Sequence, residues 1–334
     1  MSTDVGLYLG QELGRYGFPD HPFGPDRLEA FASEARRQGL DTRAGDASRT
    51  LDPLFGGGSP PRVRCLEAVS ADREALVRFH SSNYIDRVVE MSRRGFGLLD
   101  MGDTPAFPGC YEAACLVVGT VLDAVDRIMA GELARAFVPI AGLHHARRDR
   151  AGGFCVFNDC GVAIAALLQQ HGLERVAYVD IDAHHGDGVY YGFVDDPRLL
   201  VADIHEDGRY LFPGTGRADE TGTGAARGTK LNIPLLPGAT DDDFHQAWSR
   251  VEAFVEQGRP QFVLLQCGAD SVAGDPITHL AFTPAAHRHA TSALMRLAGR
   301  HSAGRLLVLG GGGYDHDNLA RTWCGVVQAM LEPD

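Results

Sequence analysis

Four short apolar runs stand out along the chain, and each breaks off abruptly into polar or glycine-rich residues. They are Arg135–Gly142 ahead of His144, Arg175–Val179 ahead of Asp180, Gln261–Gln266 ahead of Cys267, and Arg305–Leu309 ahead of Gly310–Gly313. None alternates apolar with polar positions, so each reads as a strand covered on both faces, the habit of a parallel sheet. Helical spacing marks Pro25–Gln38, Arg73–His80, Tyr111–Ala130, Gly161–Gln170, Asp242–Val255 and Pro284–Leu297. Thr283 and Pro284 form an N-cap followed by a first-turn proline. The alternation predicts an α/β fold: a doubly wound, mostly parallel sheet flanked by helices on both faces. The first 130 or so residues carry helical patterns but few strand signals. Turn residues make loops of Leu54–Pro61 and Met101–Gly109, the second long enough to rim a binding site. No repeat or low-complexity linker divides the chain, so a single domain over residues 1–334 is expected. In such sheets ligands bind outside the carboxyl ends of the strands. All four strand ends here carry His, Asp or Gly clusters, and they should meet along one edge.

Composition narrows the setting. Hydrophobic residues make up 44% of 334, enough for a core that needs no disulfide framework. The seven cysteines form no CxxC pair and are odd in number, which reads as reduced thiols in a reducing compartment. The N-terminus lacks a basic stretch followed by an apolar one, and no run of about 18 apolar residues occurs. A cytoplasmic protein that neither enters nor spans a membrane is expected. A net charge of −13 argues against nucleic-acid binding and favours the approach of cationic substrates. Oligomeric state is not encoded in any pattern found.

The segment Tyr178-Val-Asp-Ile-Asp-Ala-His-His-Gly-Asp-Gly-Val concentrates the chemistry. Asp180, Asp182 and His184 alternate, so at a strand end they point to one side. A carboxylate and an imidazole two residues apart can share one zinc ion if a third ligand arrives from elsewhere, and Asp270 stands at another strand end. Two carboxylates and one imidazole leave a position open for water, the layout of a catalytic site. Cys267 is a rival ligand, but thiols at such positions more often pack in the core. His144 and His145 suit acid–base work, with Asp180 and Asp187 as carboxylates to orient them. The four glycines Gly310–Gly313 let backbone pass close to a ligand or a packed neighbour, and Tyr314 behind them could donate to an oxyanion.

Six motifs in order resemble those of the zinc-dependent histone deacetylases of the arginase/deacetylase superfamily, nearest the acetoin-utilisation and class I branches. They are Gly142-Leu-His-His-Ala, Gly153-Phe-Cys-Val-Phe-Asn-Asp, Val179-Asp-Ile-Asp-Ala-His-His-Gly-Asp-Gly, Leu211-Phe-Pro-Gly-Thr-Gly, Gln266-Cys-Gly-Ala-Asp-Ser-Val-Ala-Gly-Asp-Pro and Gly310-Gly-Gly-Gly-Tyr. The resemblance runs from His80 to Gly325, with His21-Pro-Phe-Gly-Pro-Asp-Arg-Leu a less specific opening segment. It implies the arginase/deacetylase fold, one catalytic Zn2+ held by Asp182, His184 and Asp270, and hydrolysis of an acyl-lysine amide that releases acetate. It makes His144, backed by Asp180, and His145, backed by Asp187, the partners of the water at zinc. Tyr314 polarises the substrate carbonyl. Gly153, Phe154 and Phe212 wall the channel, Asp103 holds a peptide backbone at the rim, and Ile277 stands at the mouth. A structural K+ beside the Asp180–His184 segment is also implied, with Asp203 where relatives carry serine.

Three other readings stand beside this one. An acetylpolyamine or other small acetylated-amine amidohydrolase would place a glutamate at the mouth, where this chain has Ile277. A module that binds acyl ligands without turnover would tolerate loss of Tyr314 or a histidine, yet all are present. A two-manganese ureohydrolase would need more carboxylates than the motif offers.

Overall fold

A computed structural model describes residues 3–41 and 61–332. Most of the loop expected at Leu54–Pro61 therefore lies outside the described residues. Among the described residues eight strands form one sheet: Val5–Tyr8 (β1), Val63–Leu66 (β2), Arg135–Val138 (β3), Val176–Asp180 (β4), Leu199–Glu206 (β5), Lys230–Leu235 (β6), Phe262–Gln266 (β7) and Leu306–Leu309 (β8). Their order is β2-β1-β3-β8-β7-β4-β5-β6, and every pairing is parallel. The sheet is thus wholly rather than mostly parallel. The four strands expected from sequence are its contiguous centre, β3-β8-β7-β4, where both faces are covered and the apolar run is unbroken.

The other four strands carry weaker patterns for physical reasons. β2 is an edge strand only partly buried, and β1 beside it is broken by Gly6. β5 is fully buried but interrupts its apolar run with Asp203, His205 and Glu206. β6 contains Pro234, tolerable because it forms the other edge.

Side chains alternate across the sheet and build a core on each side. On one face Tyr178, Val201, Leu264 and Leu307 meet helices Ser82–Arg94 (α3), Cys110–Met129 (α4) and Asp159–Gln169 (α5). On the other, Val179, Ala202, Leu265 and Val308 meet Arg27–Arg37 (α1), Asp241–Gly258 (α7), Pro284–His301 (α8) and His316–Met330 (α9). Thr283 caps α8 as expected, its hydroxyl accepting from Ala285 N at 3.2 Å, with Pro284 in the first turn. The helix expected over Arg73–His80 is one turn, Arg73–Leu76 (α2), and a short Asp187–Gly192 helix (α6) follows β4. No helix among the described residues is long and apolar enough to cross a membrane.

Candidate active site

The carboxyl ends of β3, β8, β7 and β4 open onto one edge of the sheet. Beyond β4, Asp182 and His184 turn towards Asp270, which follows β7 in a short 3₁₀ turn, Ala269–Ser271. All three are buried, and one ligand atom from each lies within 4.8 Å of the others. His184 Nδ1 sits 3.1 Å from Asp182 Oδ1 and 3.0 Å from Asp270 Oδ2. Backbone and side-chain donors fix the carboxylates. Asp270 Oδ1 accepts from Ala183 N at 3.0 Å, while Asp182 Oδ2 accepts from Gly312 N at 2.9 Å and Gln266 Nε2 at 2.8 Å. Burial, followed by the charge on Asp182, pushes the Asp270 carboxyl up to about 7. That crowding is the repulsion a divalent cation relieves, and two carboxylates with one imidazole are a donor set that suits zinc. Cys267 is buried, donates its thiol to Leu309 O at 3.3 Å and stands outside the cluster, so it belongs to the core.

The glycine run explains how so much charge fits. A Cβ on Gly312 would lie 2.2 Å from Asp270 Oδ2, and one on Gly268 would lie 2.0 Å from Asp182 Oδ2. Side chains are excluded there because the backbone itself walls the carboxylates. From the N-terminal region the fully buried Arg27, first residue of α1, reaches in. Its guanidinium donates to Gly311 O at 2.7 Å and Gly313 O at 2.8 Å, fixing the loop that carries Tyr314.

Beside the cluster, His144 Nε2 and His145 Nε2 approach to 3.1 Å. Each Nδ1 faces a carboxylate at 2.8 Å, Asp180 for His144 and Asp187 for His145. Asp180 also accepts from Tyr178 OH at 2.6 Å, and Asp187 from Arg147 at 2.8 and 3.0 Å. Burial lowers both imidazoles, but Asp180 and Asp182 overcome it at His144, which rises to about 10. At His145 burial and the adjacent His144 prevail, and the group falls to about 4. The loop bearing the pair is clamped from the start of α5. Asp159 accepts from Gly142 N and Leu143 N, and the Asn158 amide donates to His144 O and Ala146 O.

Two aromatic rings pack against the site. Phe212 stands 5.0 Å from the His145 ring, and Phe154 lies edge-on to Tyr314 at 5.9 Å. Gly153 must be glycine: its φ is +52°, and a Cβ would meet His145 Cδ2 at 2.4 Å and Phe212 Cε1 at 2.9 Å. Asp275 binds the amides of Ile277 at 3.0 Å and Tyr314 at 2.9 Å, so these two residues share one carboxylate as their anchor. Burial, then Asp270, holds the Tyr314 phenol protonated, well above its usual range. Asp103 is exposed on the 101–109 loop, and its carbonyl lies 3.2 Å from His21 Nε2.

The profile of the histone deacetylase domain matches residues 21–330. The chain belongs to the histone deacetylase family. Acetoin utilization protein AcuC of Bacillus subtilis is 41% identical over 258 residues, covering 73% of this chain and 65% of that protein. The histone deacetylase-like amidohydrolase of Pseudomonas aeruginosa is 37% identical, covering 86% of this chain and 75% of its own. Histone deacetylase RPD3 of Saccharomyces cerevisiae is 31% identical over 96% of this chain and 70% of its own. Among solved structures, the HDA15 HD domain superposes with a TM-score of 0.86 at 28% identity, over 99% of this chain and 90% of that one. The fold is therefore of the arginase/deacetylase type, and this histone deacetylase family member is a hydrolase of amide bonds. The match begins at residue 21, where the less specific opening segment His21–Leu28 starts, and that segment brings Arg27 and His21 beside the site. Arg27, Gln266 and Asp275 lie inside the motif segments and Arg147 directly follows one, yet nothing in their spacing announces their partners.

Proposed function

We propose that the protein is a zinc-dependent amidohydrolase, acting as one domain, that removes acetyl or related acyl groups from lysine side chains in proteins or peptides. One observation supports this most: a buried Asp182–His184–Asp270 cluster and a carboxylate-backed histidine pair lie together, with Phe212 against the His145 ring and Phe154 against Tyr314. Asp182, His184 and Asp270 would hold the zinc ion. When bound, zinc supplies Lewis acidity to the acyl carbonyl and to water. His145, oriented by Asp187, takes the proton from the attacking water, and His144, backed by Asp180, holds the pair in register and shares the proton delivered to the leaving amine. Tyr314 donates its phenolic hydrogen to the oxyanion that develops on the carbonyl. Phe154 and Phe212 sheathe the apolar stem of an acyl-lysine and keep water away from it. Asp103 holds the peptide backbone at the rim, and Ile277 gives the mouth an apolar face.

That apolar face weighs against the small acetylated amine. A free amine at the mouth needs a carboxylate, and Ile277 offers none. A side-by-side panel of acetyl-lysine peptides, longer acyl-lysines, acetylpolyamines and small acetylated amines tests the assignment, with zinc measured by elemental analysis. Acetyl- or acyl-lysine peptides are expected to have the highest kcat/KM, with about one zinc per chain. The Asp182→Asn protein is expected to lose most of that zinc. Preference for acetylpolyamines, or full zinc content in Asp182→Asn, would remove the reading.

We also propose a bound K+ beside the Asp180–His184 segment. Asp180 and Asp203 are register partners on β4 and β5, both fully buried, and carboxylates so placed repel. His205 Nδ1 lies 2.6 Å from Asp203 Oδ1 and His144 Nδ1 2.8 Å from Asp180 Oδ2, and a bound cation would add to this compensation of the buried carboxylates. Replacing KCl by choline chloride should lower Tm by a few degrees, about 2–4 °C per kcal/mol lost. An unchanged Tm means that His205 suffices.

A further inference from the structure

Phe154 holds a left-handed backbone conformation, φ 67°, which an L-residue with a bulky side chain adopts only under constraint. Two distant side chains impose it. Thr104 Oγ1 accepts from Phe154 N at 3.1 Å, and Tyr16 OH donates to Phe154 O at 2.7 Å. Tyr16 is in turn fixed because its oxygen accepts from Val156 N at 2.9 Å. The backbone of Phe154 is therefore gripped at both its N–H and its C=O, from the rim loop and from the N-terminal segment.

Thr104 is fully buried, and its hydroxyl hydrogen is committed elsewhere. It donates to Asp100 Oδ2 at 2.7 Å, while Asp100 Oδ1 accepts from Gly102 N and Thr104 N, both at 3.0 Å. Asp100 thus folds the tip of the loop around its own carboxylate, and Asp103 rides on that tip. A turn built only for itself would end there. This one continues through Thr104 Oγ1 to a residue 50 positions away. His21 adds a parallel tie, its Nε2 3.2 Å from Asp103 O and its ring edge-on to Phe154 at 4.4 Å.

We propose that Asp100 and Thr104 are positioning residues that lock the rim carrying Asp103 to the channel wall formed by Phe154, making the enzyme selective for acyl-lysine within a peptide. The relay fixes the distance between the point where a peptide backbone docks and the point where the acyl-lysine stem enters. A substrate that uses both points gains from that fixed spacing; one that uses only the channel gains little. The inference rests on the acyl-lysine reading above. Its test nevertheless includes a measurement that needs no turnover.

The full-length, zinc-loaded protein is compared with Asp100→Ala, Thr104→Val, the double variant and Thr104→Ser. Two substrates are used: an acetyl-lysine peptide with residues on both sides, and a single acetyl-lysine fluorogenic amide. Loss of charge-assisted hydrogen bonds of this kind predicts a KM for the peptide about tenfold higher in Asp100→Ala and in Thr104→Val, with kcat within about twofold. The KM for the single-residue substrate should move less than about threefold, and Thr104→Ser should restore the peptide KM. Because both side chains act through one relay, the double variant should be no worse than either single variant. Equal losses on both substrates, or additive losses in the double variant, overturn the proposal. Amide hydrogen exchange supplies the independent arm. Asp100→Ala should speed exchange at Phe154 N as well as at Gly102 N, and an unaffected Phe154 breaks the relay. If the unmodified protein hydrolyses neither substrate, the acyl-lysine reading fails and exchange alone decides whether rim and wall are joined.

Discussion

At the scale of single residues, alternation did much of the work. Asp180, Asp182 and His184 share a side because they follow a strand, and the structure keeps them together. Asp275 and Arg27 escaped notice because their function lies in which backbone groups they bind. Asp275 anchors the amides of Ile277 and Tyr314, and Arg27 the carbonyls of Gly311 and Gly313. No periodicity encodes such contacts. The proposed division of labour makes distinct demands on His145 and Tyr314. His145 is not among the three residues of the metal cluster, so His145→Ala should keep its zinc by elemental analysis while turnover falls by about 10² or more. Tyr314→Phe removes one hydroxyl and keeps the ring contacts with Phe23 and Phe154. Its kcat should drop by roughly 10²–10³ with KM little changed, as befits a donor engaged mainly at the oxyanion stage. An equal loss in kcat and in affinity for a substrate analogue would make the hydroxyl a binding group only.

At the scale of elements, the strands most legible in the sequence were those covered on both faces, while a side-chain cap did not decide which helices were legible, since α1 and α4 lack one. Thr283-Pro284 announced α8, whereas α3 and α9 went unrecognised, although Ser81 and Asp315 cap them through Tyr84 N and Asn318 N. Connections between elements were less visible still. His80, just before α3, joins two of them: Asn158 N donates to its Nε2 at 2.9 Å, and its Nδ1 lies 3.0 Å from Arg147 O. One nitrogen must accept while the other donates, so the ring is needed in its neutral form. Burial holds its pKa down to about 3. An unfolded histidine titrates near 6.5, so the unfolded chain binds more protons between these values and stability drains away as pH falls. The contribution is intact above about pH 6.5 and should be lower by on the order of 3 kcal/mol at pH 4. Chemical denaturation across that range checks this. The His80→Gln protein, which has no group titrating there, should lose the corresponding part of the slope.

At the scale of the whole molecule, charge was readable directly. A net charge of −13 produces a field that draws in cationic ligands over distances set by the ionic strength. For a lysine-rich acetylated peptide, kcat/KM should fall several-fold between about 20 and 300 mM salt, whereas an uncharged acetyl-lysine amide should be almost indifferent. Stopped-flow or initial-rate measurements at fixed pH distinguish the two. Matching salt dependence for both substrates would mean that the acidity serves solubility alone.

The long reach of the contacts around Asp182 also governs when the centre can exist. Its Oδ2 is completed by the amide of Gly312, 130 positions later, and Arg27 closes over Gly313 from 286 positions earlier. While a ribosome is still making the last third of the chain, those carboxylates have no cage. A nascent chain stalled before Gly310 would lack the Gly312 amide that completes Asp182, so any metal held by the proposed cluster would be taken up late in the birth of each molecule.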